Sequence, residues 1–572
     1  MRHTFFKSAI AALLVAGFTS CADELNISSI DPQSSASTEE MPFIAKCYSV
    51  LGLTGQEGPS GKGDLSLNEG ESGFYRVTFN CEELATDELI WAWQTDDGIP
   101  EFTAMSWDAS TTRVNWCYTR LGYDITLFNQ YIATATNDDY RNEVRFLRAL
   151  HYWYYLDLFG RAPFKIDNDL KATPEEKVGA DLFAWLDSEL TDLEKVMQPI
   201  GTFNNPAGFG RADAGAAYLL HARLLLNAPV YGAKADYEGA MAKVDALINS
   251  GKYALATNEK NGYTGYEQLF MADNDENPEA MQEIIFPIRQ DGAKTQCYSA
   301  ANYLVSSMRT PGMPDMGTTN GWSCNFARGA LIEQFFPNIE DCPLTTTRTL
   351  FTKKGKMLMP GEEDEEAHEA ASEDEIKQAD AYNKSDKDGI QAAAGDDRAL
   401  FYGGEGGDKL RKRKTDKITS FFDGMSIVKW NNHRTDGAAV HGTEFPDVDV
   451  PLLRYAEAFM IKAECLLRTG DAPGAKDLLN STIRSRAHAT PINDLTERIM
   501  LDEWCREFYT EGRRRCDLVR FNCYTTRNYL WDWKGGVENG TTVDSRFNLF
   551  PIPTTDLQNN TNLHQNPGYI NE

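Results

Sequence analysis

The sequence predicts a mainly α-helical protein on three observations. Apolar residues recur at three- and four-residue spacing over several long stretches, these stretches fall into helix–turn–helix pairs, and strand signals are sparse. From Asp139 to Phe159, residues Val144, Leu147, His151, Tyr154 and Leu158 share one helical face, Asn137 or Asp138 can cap its start, and Gly160 stops it. Asp213 to Asn227 and Tyr237 to Ser250 make a pair closed by Gly251. From Arg454, the positions Ala456, Phe459, Ala463 and Leu467 run to Gly470, and after Asp471 a second helix carries Ala475, Leu478 and Ile483. The best strand candidate is Glu283 to Ile288.

Helices of about four turns, joined by short turns and with small residues at their crossings, form antiparallel hairpins. They are similar to tetratricopeptide repeats, without the consensus Trp and without contiguous copies. The architecture expected is a scaffold of helix pairs with long loops laid over it. A length of 572 residues accommodates several domains or one unit built by repetition. With 56 Lys and Arg against 85 Asp and Glu, the net charge of −29 argues against nucleic acid, since each phosphate contact would work against a repulsive field. A neutral ligand feels no such force.

Arg2 and Lys7 precede an apolar run from Ala9 to Phe18, followed by Thr19, Ser20 and Cys21. This order is that of a secretory signal, and the run is shorter than the roughly 20 residues a spanning helix needs. Phe-Thr-Ser-Cys resembles the lipobox of bacterial lipoproteins, with Phe18 where an aliphatic residue is usual. The expectation is that residues 1–20 are removed, that 21–572 form a single unit, and that Cys21 is acylated. Asp23 and Glu24 resemble the signal that sends a lipoprotein to the cell surface of the outer membrane. The membrane would then be held through acyl chains alone, at about 0.8 kcal/mol per buried CH₂. The other ten cysteines show no CxxC pair and are expected as buried free thiols rather than disulfides.

Nine acidic residues between Glu362 and Glu375, and six basic ones between Lys409 and Lys417, are expected in solvated loops. The insertion at about 345–390 is expected to be mobile, and the two blocks could pair with each other. No GxSxG, HExxH, Walker or GxGxxG motif is present. A glycosidase needs only two carboxylates about 5 to 9.5 Å apart, which sequence alone does not exclude. The stronger signal is aromatic. Trp91, Trp93, Trp107 and Trp116 are interleaved with Asp96, Asp97, Gly98 and Pro100, and Trp322 lies in a Gly-Thr-Thr-Asn-Gly-Trp-Ser turn. Trp531 and Trp533 are further candidates for exposure. Rings displayed on loops can stack on the C–H faces of sugars, although most tryptophans are core residues. Asp273, Asp275, Asn277 and Glu279 place oxygen ligands at alternate positions, as at the start of a calcium loop, but that loop's Gly and distal Glu are missing. A solvated acidic turn is favoured, with a structural calcium ion as the alternative.

These pieces resemble one family. Glu-Gly-Glu-Ser-Gly-Phe-Tyr-Arg at 69–76, Trp-Ala-Trp-Gln at 91–94, the helix at 145–160, the acidic turn at 270–277, the Trp322 loop at 316–324, Glu-Phe-Tyr-Thr-Glu-Gly-Arg-Arg-Arg at 507–515 and Gln-Asn-Pro-Gly-Tyr at 565–569 are similar to the SusD-like (RagB/SusD) outer-membrane lipoproteins. The resemblance covers nearly the whole chain and fades at about 345–390. It implies tetratricopeptide-like helix pairs forming a superhelical scaffold with a loop-rich ligand-binding face. The loops around Trp93 and Trp322 resemble the starch-binding members, which implies an aromatic arc at Trp93, Tyr298 and Trp322 that follows an α-1,4-glucan. Hydrogen-bonding partners are implied at Arg76, Asn68 and Asp96. The resemblance implies non-catalytic capture of starch and maltooligosaccharides with no cofactor required. It also implies a SusC-type TonB-dependent transporter as partner, alongside other surface glycan-binding lipoproteins and an amylase. A secreted glycoside hydrolase and a helical-repeat interaction scaffold are the rival readings.

Overall fold

The computed structural model describes residues 40–59, 61–310, 313–344, 350–358, 364–404 and 410–570. The signal segment 1–20 and Cys21 lie outside the described residues, as do 345–349 and 359–363 of the acidic insertion. The chain divides into two compact units, 1–46 and 47–572. Of the first, only the start of α1 (Glu40–Ser49) is described.

In the second unit, α2 (Phe74–Glu83) is buried along its whole length and precedes the short strand β1 (Leu89–Trp91). The helical scaffold then begins with α3 (Thr112–Thr134) and α4 (Asp138–Tyr154). Asn137 caps α4 by accepting from the amides of Asp139 and Tyr140. The predicted helix runs on to Phe159, but its last five residues, Tyr155–Phe159, form a π-helical turn, ended by Gly160 at φ 66°. The hairpin of β2 (Arg161–Phe164) and β3 (Glu175–Val178) follows, then α5 (Gly179–Val196), α6 (Ala214–Leu226) and α7 (Tyr237–Ser250). Asp213 caps α6, and Gly251 at φ 61° closes α7 as expected.

Strand β4 (Ile284–Ile288) is the predicted one; it is fully buried and leads to α8 (Ala300–Met308) and β5 (Asn325–Ala327). Further on, α9 (Glu373–Ala394) opens with a capping box of Ser372 and Glu375. This corrects the expectation of a loop for the last three acidic residues only, since Asp364, Glu365 and Glu366 lie in an exposed turn as expected. The acidic residues Glu373, Asp374 and Glu375 form a helical first turn, where negative charge suits the helix dipole. The basic block does not pair with the acidic block among the described residues either. Arg413 meets Glu340 at 2.8 Å, Lys414 meets Glu333 at 3.2 Å and Lys412 meets Asp416 at 2.8 Å.

Strand β6 (Val450–Arg454) pairs antiparallel with β4, and α10 (Ala456–Arg468) and α11 (Ala472–Ser481) form the second predicted hairpin. Ile483 belongs not to α11 but to a separate turn of helix, Ile483–Arg486, because Thr482 breaks the run at φ −121° and ψ −85°. The last helices used below are α12 (Glu497–Phe508), α13 (Arg514–Arg520) and α14 (Thr554–Asn559).

Each scaffold helix packs on the next from α3 to α7, and α7 packs on α10, which pairs with α11. Copies separated by 200 residues in sequence thus stack directly in space, and the intervening chain supplies the loops. All ten cysteines from Cys47 onward are buried and free. Among the described residues no helix is long and apolar enough to cross a membrane.

Candidate functional site

The Trp93 and Trp322 loops are brought together by a short ladder. β1 pairs antiparallel with β5, Trp91 opposite Asn325, and one residue on, the Ala92 amide donates to the Cys324 carbonyl at 2.8 Å. Trp93 is carried past the end of β1 and stands exposed at 37%. Trp322 is held by the C-terminal turn of α8: its own amide donates to Ser306 at 2.7 Å, and those of Ser323 and Cys324 to Arg309 and Ser307 at 3.1 and 3.0 Å. Tyr298 comes from the segment entering α8, where the Cys297 thiol donates to the Gly52 carbonyl at 2.8 Å.

These rings form one connected array. Trp93 meets Trp91 edge to face at 6.2 Å between ring centres, and Trp91 stacks on Tyr303 at 5.8 Å. Tyr303 lies 6.4 Å from Trp322, Trp322 lies 6.1 Å from Tyr298, and Tyr298 lies 5.6 Å from Phe445. Trp91 and Tyr303 are buried, whereas Trp93, Trp322 and Tyr298 keep exposed surface. Two buried rings therefore space and support the three predicted ones, at the 4.5–7 Å separations that favour edge-to-face and offset contacts.

Arg76 is placed under this array. Its guanidinium carbon lies 4.5 Å from the Tyr303 ring centre, 5.5 Å from that of Trp322 and 5.8 Å from that of Trp91. Nη1 donates to the carbonyls of Gly70 and Tyr298 at 2.8 and 3.0 Å, and Nη2 lies 3.6 Å from Glu71. At 5% exposure, Arg76 braces the rings more than it projects from them, and burial lowers its pKa. Asp96 accepts from the Trp91 indole at 3.2 Å and sits 3.8 Å from Arg113, which pairs with Glu71 and donates to the Asp97 carbonyl. Burial pushes the Asp96 carboxyl up, against the opposing pull of Arg113. Asn68 is exposed, and its carbonyl opens the turn by accepting from the amides of Glu71 and Ser72. Gly73 permits a close approach: a Cβ there would stand 2.5 Å from the Ser299 hydroxyl, next to Tyr298.

The other tryptophans are structural. Trp107 is buried and donates to the Tyr569 hydroxyl at 2.9 Å, and Trp116 lies on α3 beside Arg113. Trp531, a candidate for exposure, is buried at 3% against Tyr524 and Tyr529, with the Lys534 ammonium 4.4 Å from its ring centre. Trp533 is half-buried and donates to the Thr415 carbonyl at 2.6 Å. Their Gly-rich surroundings suggested solvent, but the 524–541 segment folds back on itself. Tyr303, Phe445, Arg113 and Glu71 complete the site without having been expected. Arg113 lies in the first turn of α3 and Tyr303 on α8, which is buried along its whole length, and neither helix gives a sign in its sequence of what it packs against.

The acidic turn does not fit a shared calcium ion. Asp273 accepts from the Thr435 amide and hydroxyl, and Asp275 pairs with Arg289 at 2.7 Å. Asn277 caps a short helix, and Glu279 accepts from the amides of Thr257 and Asn258. The oxygens serve separate partners rather than one point. Asp291, His441 and Asp447 bring ligand atoms within 4.8 Å of one another, but Asp447 accepts from the amides of Gly292 and His441, and Asp291 holds Lys294. These bonds pin the loop that carries Phe445 onto Tyr298.

A helical-repeat scaffold with a braced aromatic surface on its loops matches the SusD family, whose profile covers residues 282–569. The chain belongs to that family. It is 48% identical over 576 residues to the starch-binding protein SusD of Bacteroides thetaiotaomicron, an alignment that spans 99% of this chain and 98% of that one. Among solved structures, surface glycan-binding protein A from Bacteroides fluxus superposes with a TM-score of 0.61 at 17% identity, covering 93% of this chain and 99% of that one. Surface glycan-binding protein A from B. thetaiotaomicron, in complex with laminarihexaose, superposes with a TM-score of 0.58 at 15% identity, covering 92% and 98%. At those identities the two structures establish the fold.

Proposed function

We propose that the protein is a surface lipoprotein that binds starch and maltooligosaccharides without cleaving them. The observation that carries this reading is the connected array Trp93–Trp91–Tyr303–Trp322–Tyr298, in which Trp93, Trp322 and Tyr298 keep exposed surface and the buried rings of Trp91 and Tyr303 link them. Near-full-length identity to a starch-binding relative supports it.

The exposed rings offer apolar faces to the C–H surfaces of successive glucose units, and Asn68 and Asp96 lie beside them to meet hydroxyls. Arg76 and the amide straps at Trp322 fix the ring positions before ligand arrives, so little side-chain freedom is lost on binding. Read as an arc, the three rings suit a helical α-1,4-glucan better than a straight chain. Each site is weak by itself, and anchorage of many copies through Cys21 gives avidity for a long polymer. Captured glycan passes to a TonB-dependent transporter of the SusC type.

Calorimetry with maltoheptaose and a cyclodextrin tests the array. Replacing both Trp93 and Trp322 by Ala should abolish measurable heat, and unchanged affinity would sink the reading. Sustained release of reducing ends from amylopectin by the pure protein would favour a hydrolase instead.

A further inference from the structure

Trp533 sits in the left-handed region at φ 66°, where a bulky side chain is strained, and Gly535 and Gly536 follow it there at φ 66° and 73°. Such a backbone persists only where its surroundings hold it. Two side chains do so. The Trp533 indole donates to the Thr415 carbonyl at 2.6 Å, and Lys534, fully buried, donates to the carbonyls of Cys523, Thr526 and Tyr529 at 2.9, 2.8 and 2.8 Å. An ammonium has three donors, and here all three reach main-chain oxygens, with the centre of the Trp531 ring 4.4 Å away. Lys534 therefore knots residues 523–529 to the turn at 531–536.

That turn is pressed against the Trp93 loop. Gly536 lies so close to the short helix Ile99–Ala104 that a Cβ on it would stand 3.2 Å from the Ala104 Cβ. The same helix carries Thr103, whose hydroxyl accepts from Gln94 Nε2 at 3.0 Å, and that nitrogen also donates to the Trp91 carbonyl at 2.6 Å. Gln94 fastens the main chain on both sides of Trp93 to the helix that rests on Gly536. The path from Lys534 to Trp93 is continuous, through the turn, Gly536, Ala104, Thr103 and Gln94. Arg328 ties the Asp532 carbonyl to the Leu89 carbonyl at the root of β1, at 2.8 and 2.7 Å, through bonds that do not involve Lys534. The strand is held separately, and Lys534 acts on the loop beyond it.

We propose that Lys534 is a positioning residue for glycan binding: by closing the 531–536 turn it sets the helix Ile99–Ala104 and, through Gln94, the place of the exposed Trp93 ring relative to Trp322. It touches no ligand. Its effect on affinity rests on the glycan-binding reading above, whereas its effect on the Trp93 loop does not.

Lys534→Met keeps the length of the side chain and removes its three donors. Hydrogen exchange in the ligand-free protein should then quicken about tenfold or more at the amides of Gln94, Asp96, Ile99 and Phe102, which bond within the loop, and stay unchanged in α6 and α10. Calorimetry should show maltoheptaose bound about tenfold more weakly. A residue that merely stabilised the fold would not give the third result. In a Gln94→Leu background, where the strap to Thr103 is already cut, Lys534→Met should weaken binding by less than about twofold. Unchanged exchange at those four amides, equal quickening in α6 and α10, unchanged affinity in a protein that binds, or a full tenfold loss on top of Gln94→Leu overturns the proposal. If Lys534→Met does not fold by circular dichroism, Gly536→Ala takes its place, since it keeps the ammonium's bonds and pushes a methyl toward Ala104. The same outcomes then support or overturn. A protein that binds no maltoheptaose at all defeats the proposed function, and the exchange measurement still decides where Lys534 acts.

Discussion

Arg76 donates from Nη1 to the Tyr298 carbonyl at 3.0 Å while its guanidinium lies against the Trp322 ring, with 5.5 Å from its carbon to the ring centre. One buried side chain therefore sets the spacing of two exposed rings that belong to different loops. Arg76→Met keeps most of the volume but leaves the carbonyls of Gly70 and Tyr298 without their donor. The expected cost is about 1–3 kcal/mol in stability, together with roughly tenfold weaker maltoheptaose binding as Tyr298 and Trp322 lose register. Thermal unfolding and calorimetry read the two effects. A variant that unfolds earlier but binds as before would show that Arg76 stabilises the fold without positioning the rings.

Asp96 allows the hydroxyl-recognition and support roles to be separated. Its carboxylate accepts from the buried Trp91 indole at 3.2 Å, and Trp91 supports Trp93 edge to face. Asp96→Asn retains an acceptor, so the array should stand and affinity should fall only about threefold, the share owed to a charged rather than neutral hydrogen bond. Asp96→Ala leaves the indole N–H unpaired and is expected to lower affinity about tenfold or more. Equal binding by the two variants would show that Trp91 needs no partner at Asp96.

Thiol reactivity checks the packing of the scaffold. The ten cysteines from Cys47 onward are all buried, and burial raises the pKa of Cys117, Cys297, Cys324, Cys465 and Cys505 among others. An apolar, low-dielectric setting disfavours the reactive thiolate. The native protein should therefore react with a thiol reagent at none of these positions within minutes, and at all ten in denaturant. Fewer than ten in denaturant would reveal disulfides.

Much of this was legible in the sequence, and what was missed has physical reasons. The helices at 138–159, 214–226, 237–250 and 456–481 announced themselves because periodic apolar faces, the cap at Asn137 and the stops at Gly160 and Gly251 are local signals. Trp93 and Trp322 were visible because an indole among Gly, Thr and Asp residues has little local to pack against. Trp531 has the same kind of surroundings and is nevertheless buried at 3%, since its covering residues come from a fold-back that no periodicity encodes. The end of the acidic run departs from expectation for a related reason: charge density suggests a loop throughout, and Asp364–Glu366 do lie in one, whereas the Ser372–Glu375 capping box starts a helix at Glu373. Tyr303 was out of reach, because its role depends on the Trp91–Asn325 register, a pairing across more than 230 residues.

The buried charge cluster gives a prediction with a definite sign in pH. On α12, Glu507 is fully buried and accepts from Arg454 at 2.6 Å, from Arg398 at 3.0 Å and from Arg486. Burial alone would raise its pKa, but the guanidinium groups of Arg486, Arg454 and Arg398 outweigh it and hold the carboxyl down at about 2, against an ordinary 4.5. A folded-state pKa below the unfolded value means that the unfolded chain takes up the proton first. The stabilisation is therefore complete above about pH 4.5 and is lost as the pH falls toward 2, and its full size is on the order of 3 kcal/mol. Glu507→Gln keeps the shape and removes the charge, leaving three guanidinium groups short of a counter-ion. Its deficit in unfolding free energy should be constant from pH 8 to about 5 and should shrink between pH 4.5 and 2, as the native protein loses the same charge. Denaturant unfolding of both proteins across that range measures the gap directly. A deficit that stays constant down to pH 2 would mean that the charge on Glu507 does not stabilise the cluster, and that Gln is penalised for its geometry alone.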